Sequence, residues 1–137
     1  MKKSTTISSP RYKKESMYEQ DIVLEDGLKF KFIGYYFKTA GIWEIAFEDE
    51  EERRETVRKR KGASLELFAA LEKVFKQFVE KALPDKFRFS AALDEKSRVK
   101  LYDLLAKKIE KMGMGFKLKK TKSSVSAIYW FTHWSVK

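Results

Sequence analysis

The sequence predicts an α+β domain, an α/β sandwich in which a mixed, mainly antiparallel sheet carries two helices in the order βββ-α-β-α-ββ. Three observations predict it. Strand-type alternation dominates residues 22–48 and 116–136, three- and four-residue apolar spacing dominates 63–83 and 94–112, and a short alternating run at 87–91 separates the two helical stretches.

Residues 1–19 are rich in Ser, Thr and Lys and read as a flexible basic arm, which leaves 20–137 as a single domain. Ile22-Val23-Leu24, the turn Glu25-Asp26-Gly27 and Leu28 to Lys38 read as a hairpin, because Asp-Gly is a strong turn dipeptide. Leu28, Phe30 and Phe32 then share one face and Lys29 and Lys31 the other. A third strand, Ile42 to Glu48, follows a turn at Ala40-Gly41 and alternates Trp43, Ile45 and Phe47 with Glu44 and Glu48. The charged run from Asp49 to Lys61 reads as a surface loop or an exposed helical turn.

Leu65, Phe68, Leu71, Phe75, Phe78, Val79 and Ala82 predict an amphipathic helix that ends at Pro84-Asp85. Phe87, Phe89 and Ala91 alternate with Arg88 and Ser90 as a short strand. Asp94 suits the N-cap of a second helix, whose inward stripe is Val99, Tyr102, Ala106 and Ile109. Gly113 and Gly115 suit its stop, and Phe116 to Lys120 with Val125 to Val136 predicts a closing hairpin.

Composition narrows the chemistry. With no cysteine and one histidine, His133, the chain has no disulfide, no thiolate nucleophile and no imidazole cluster, so no metal site is expected. The absence of a signal peptide and of long apolar runs predicts a soluble cytoplasmic protein with no membrane partner. The net charge of +10 is uneven, −6 over residues 21–52 and +13 over residues 53–137. That asymmetry favours a polyanion partner.

The most pointed feature is Arg58-Lys59-Arg60-Lys61, followed by Gly62 and Ser64, at the start of the first helix. Cations oppose the helix dipole there, so an anion is the missing partner. Lys29, Lys31, Arg88, Lys117 and Lys119 alternate with apolar residues and would form a basic sheet face. Tyr35, Phe37, Tyr129, Trp130 and Trp134 offer faces on which unpaired bases could stack. The resulting expectation is a nucleic-acid-binding protein without a cofactor and without enzymatic activity. It would prefer RNA or single-stranded DNA and act largely independently of sequence.

Two resemblances add to this. Phe89-Ser90-Ala91 followed by Ser97-Arg98-Val99-Lys100-Leu101-Tyr102-Asp103 resembles a signature of uncharacterised bacteriophage proteins. It implies a phage source, hence the host cell cytoplasm, and makes Ser97, Arg98 and Lys100 further anion contacts. The order of elements is similar to that of the GNAT acetyltransferase superfamily. That family's pyrophosphate loop maps onto Lys59, Gly62 and Ser64, and its Leu-Tyr pair onto Leu101-Tyr102. The family's first strand and two acceptor-binding helices find no counterpart in residues 1–20. This resemblance implies an alternative function, an acetyl-CoA-dependent N-acetyltransferase with Glu44 or Glu48 as base and Tyr102 as acid. A third reading is a virion or host-protein-binding component whose basic surface meets an acidic protein partner.

Overall fold

The computed structural model describes residues 5–14, 16–49 and 63–136. Among the described residues eight strands form one sheet: β1 (Thr6–Ile7), β2 (Arg11–Lys14), β3 (Met17–Val23), β4 (Lys29–Phe37), β5 (Ile42–Asp49), β6 (Lys86–Ala92), β7 (Phe116–Lys122) and β8 (Ser126–His133). Helix α1 (Ala63–Ala82) lies between β5 and β6, and helix α2 (Lys96–Lys111) between β6 and β7. The spatial order is β1-β3-β4-β5-β6-β8-β7, with β2 also paired to β3. Every pairing is antiparallel except β5 with β6. The expected α+β order therefore holds, preceded by two short strands.

Those two strands lie where the sequence predicts an irregular arm. Ser8 explains the difference, because it serves β3 three times. Its backbone N–H donates to the Asp21 carbonyl at 2.9 Å, its hydroxyl accepts from Asp21 N–H at 2.8 Å, and its carbonyl accepts from the Gln20 amide at 3.0 Å. Such hydrogen bonds to one polar residue leave no hydrophobic periodicity for a sequence reading to find.

Alternation on the strands sends Tyr18, Ile22, Phe32, Phe87, Phe89, Tyr129 and Phe131 to one face, where they are almost fully buried. Helix α1 covers that face with Leu71, Val74, Phe75 and Phe78. Edge-to-face ring contacts knit the layers, with Phe32 against Phe75 at 5.1 Å and Tyr18 against Phe78 at 5.1 Å. Gly34 keeps the sheet close to α1. A Cβ there would sit 3.2 Å from the Trp43 ring and 3.5 Å from Phe78.

Helix α1 ends at Ala82, and Leu83 takes a left-handed conformation with φ 49° before the buried Pro84. Helix α2 begins one residue later than the expected cap implies. Glu95, not Asp94, holds the N-cap position, and its side chain makes no capping hydrogen bond. Among the described residues no helix is long and apolar enough to cross a membrane.

Candidate active site

The parallel pair β5/β6 is short. Its register includes only two rungs, Trp43 with Phe87 and Glu44 with Arg88. Each strand continues well beyond them, to Asp49 and to Ala92, while remaining fully paired on its other side to β4 or β8. The two strands therefore part after Glu44 and Arg88. The opening lies at their carboxyl ends, the position where open α/β sheets place their ligands. The chain enters α1 after β5 and α2 after β6, so both helices present their N-termini on the side to which the opening faces.

Tyr102 of α2 lies beneath the opening on the helix side. Its ring meets Phe47 of β5 at 5.4 Å and Phe89 of β6 at 5.1 Å, and so touches both parted strands. Next to it Tyr129 donates a hydrogen bond to Asp103 at 2.6 Å, and Lys120 donates another at 2.7 Å. Burial pushes the Asp103 carboxyl up. The hydrogen bonds from Lys120 and Tyr129, with the charges of Lys120 and Lys107, outweigh that and hold it below the usual carboxylate range. Burial first, and then Asp103, pushes the Tyr129 hydroxyl up.

On the opposite face of the sheet, the rung at which the strands part is an ion pair. Arg88 Nε donates to Glu44 Oε2. Strand pairing extends this rung into a row across five strands, Tyr35–Glu44–Arg88–Trp130–Lys119. Arg88 stacks on the Trp130 ring at 4.9 Å, and the Trp130 indole N–H donates to Thr121 at 2.8 Å. A groove of about 990 Å³ lies beside this row, with Lys38, Lys86, Arg88 and Lys119 among its walls.

The predicted site residues fall into separate places. Arg58, Lys59, Arg60, Lys61 and Gly62 lie outside the described residues, and Ser64 lies in the first turn of α1. Ser97, Arg98 and Lys100 occupy the start of α2. Ser97 and Lys100 are exposed, and Arg98 pairs with Glu95 at 3.4 Å. Arg88, Lys117 and Lys119 come together on β6 and β7, whereas Lys29 and Lys31 stand apart on β4. The continuous basic sheet face is thus a correction. Asp21 and Glu48 stand on either side of Lys31, and Glu44 takes Arg88, so the β3–β5 half of this face is rich in carboxylates. Of the stacking aromatics, Tyr129 is buried in the core, while Tyr35, Phe37 and Trp134 are exposed.

Sequence reasoning missed Lys86, the Glu44–Arg88 pair and the Tyr129–Asp103–Lys120 contacts. Lys86 was legible as the residue two before Arg88 in an alternating strand. The other two join segments 44 and 26 residues apart, and no local pattern reports such neighbours.

Solved structures share this architecture. A chimera of the Vibrio cholerae spermidine N-acetyltransferase SpeG and hSSAT matches with a TM-score of 0.53 at 7% identity, over 88% of this chain and 70% of that one. The Campylobacter jejuni N-acetyltransferase PseH matches with a TM-score of 0.53 at 9% identity, over 87% of this chain and 70% of that one. No protein-family model and no curated protein matches the sequence. The fold is therefore GNAT-like, a mixed α+β sheet with two helices and a parted parallel pair among the described residues.

This finding corrects the leading expectation from sequence. The solved structures named above that share the fold are N-acetyltransferases, not nucleic-acid binders, which sets aside the cofactor-free binder of RNA or single-stranded DNA. Nothing in the comparisons ties the chain to phage proteins.

Proposed function

We propose that the chain is an acetyl-CoA-dependent N-acetyltransferase. The observation that carries this reading is the parting of β5 from β6 after the Glu44–Arg88 rung, in a fold shared with N-acetyltransferases. Residues 45–49 and 89–92 are not paired with each other, and strand backbone facing such an opening seeks hydrogen-bond partners. The amides of a pantetheine arm supply them much as an added strand does. At the mouth, the N-terminal ends of α1 and α2 suit a pyrophosphate. Arg58 to Lys61, Gly62 and Ser64 precede or open α1, and we assign them to that contact, with Ser97, Arg98 and Lys100 at the start of α2 beside them.

Acetyl-CoA supplies an activated acyl group, whose carbon exchanges its bond to sulfur for a bond to the acceptor nitrogen while the sulfur departs as the thiol. Glu44 stands at the depth of the opening and takes the proton that the amine gives up. Arg88 orients that carboxylate from the neighbouring strand. Tyr102, in contact with both parted strands from the helix side, returns a proton to the sulfur. Glu48 lies four residues further along the same strand face and adds negative charge along the amine's approach.

A thermal-shift titration tests the reading. A ligand bound only by the folded state adds about 2.7 kcal/mol of stability at a hundredfold excess over its dissociation constant. Acetyl-CoA is expected to raise the melting temperature accordingly. A melting temperature unmoved by millimolar acetyl-CoA would remove the basis for the proposal.

A further inference from the structure

On the sheet face away from the helices, Glu19, Asp21, Glu44 and Glu48 on β3 and β5 are interleaved with Arg11, which pairs with Glu19 and Asp21, and with Lys29 and Lys31 of β4, whereas β6, β8 and β7 carry Lys86, Arg88, Lys117 and Lys119 and no carboxylate on that face. The line between the two halves is the Glu44–Arg88 rung, where the parallel strands part. The groove lies beside this rung, between the β4–β5 turn with Lys38 on one side and Lys86, Arg88, Trp130 and Lys119 on the other. Among the described residues that form its walls, Lys38, Lys86, Arg88 and Lys119 are cationic and none is a carboxylate. Arg88 is paired with Glu44 and held flat against Trp130, so Lys86 and Lys119, with Lys38 at the turn, carry the attraction within the groove.

From this arrangement we infer that the acceptor is an amine that also carries an anionic group, a carboxylate or a phosphate. The inference rests on the acetyltransferase reading and names its substrate class. The amine lies over Glu44 at the end of the opening, and the anion lies in the groove on Lys86 and Lys119. The spacing suits a small molecule. Lys86 is one strand and two residues from Glu44, and Lys119 is three strands away, which at about 4.8 Å per strand step puts their backbones roughly 8–14 Å from that of Glu44, a gap that the long lysine side chains shorten toward a compact acceptor. Trp130, fixed by its hydrogen bond to Thr121 and by Arg88, forms the apolar floor between them. A polyamine would meet Lys86 and Lys119 with like charge and is excluded by the same groove that holds an anion.

Calorimetric titration of the full chain, with coenzyme A present, tests this with four amines: glucosamine 6-phosphate, glutamate, uncharged-body glucosamine and spermidine. At least one of the two anionic amines is expected to bind at least tenfold more tightly than glucosamine, and spermidine is expected not to bind. Which anionic amine binds tells phosphate from carboxylate. The double variant Lys86→Glu/Lys119→Glu is expected to abolish that preference while leaving the affinity for coenzyme A unchanged. Lys86→Gln/Lys119→Gln is expected to act in the same direction without an introduced charge. Equal binding of glucosamine, tighter binding of spermidine, or no binding of either anionic amine would overturn the inference. So would a loss of coenzyme A affinity in the variants, because the groove would then serve the cofactor. A chain that fails to bind coenzyme A at all would instead overturn the acetyltransferase reading.

Discussion

Asp103 accepts hydrogen bonds from Tyr129 and Lys120 and fixes one side of the ring cluster beneath the strand opening. Its carboxyl lies below the usual range in the folded chain, so the folded state gains stability above the ordinary carboxylate pKa and loses it as pH falls through the lowered one. Asp103→Asn is expected to cost about 1 kcal/mol at pH 7, a modest figure because the pair is partly exposed to water. Urea denaturation at neutral pH and near pH 3 checks this, with the two proteins converging in acid. Two further residues carry the proposed chemistry. Glu44→Gln is expected to lower kcat about 100-fold with acetyl-CoA binding retained. Tyr102→Phe keeps the ring contacts with Phe47 and Phe89 but removes the proton donor. It is expected to lower kcat with little change in melting temperature, and a variant that turns over at the parent rate would remove Tyr102 from the mechanism.

At the scale of elements, most of the fold was legible because each strand and helix carries its own period. Phe87, Phe89 and Arg88 announce β6, and the stripe through Leu71, Phe75 and Phe78 announces α1. The N-terminal strands were not legible, since β1 is two residues long and offers one apolar residue, Ile7, beside the hydrogen bonds of Ser8, too little for a period to show. The candidate site was legible only in pieces. Glu44 and Arg88 each stood out, but their meeting depends on β5 and β6 being parallel neighbours. Leu83 shows a local cost that no residue pattern signals. Its left-handed backbone at the end of α1 suits glycine, and its side chain is 77% exposed, so little packing is lost by removing it. Leu83→Gly is expected to raise stability by about 1 kcal/mol, read as a higher urea midpoint at constant slope.

For the whole molecule, one sheet separates two kinds of environment. The helix side is an aromatic core in which Phe87 and Phe131 stack at 4.6 Å and Phe89 and Tyr129 at 5.2 Å. The other side is charged, with carboxylates and cations interleaved over β3–β5 and cations over β6 and β7, and the two strands between these regions, β5 and β6, are the pair that parts. A cofactor entering between the strands and an acceptor lying on the charged face would approach each other at the Glu44–Arg88 rung. Lys117, Lys119, Lys120 and Lys122 on the edge strand β7 serve a second purpose at this scale, since lysines on an edge strand oppose pairing with another sheet. Amide hydrogen exchange of the full chain with and without acetyl-CoA decides whether the cofactor enters between β5 and β6. Slowed exchange is expected in residues 45–49 and 89–92, and unchanged exchange in the paired strands β3 and β4. Protection elsewhere with none at the parted strands, or no protection at all, would contradict entry between them.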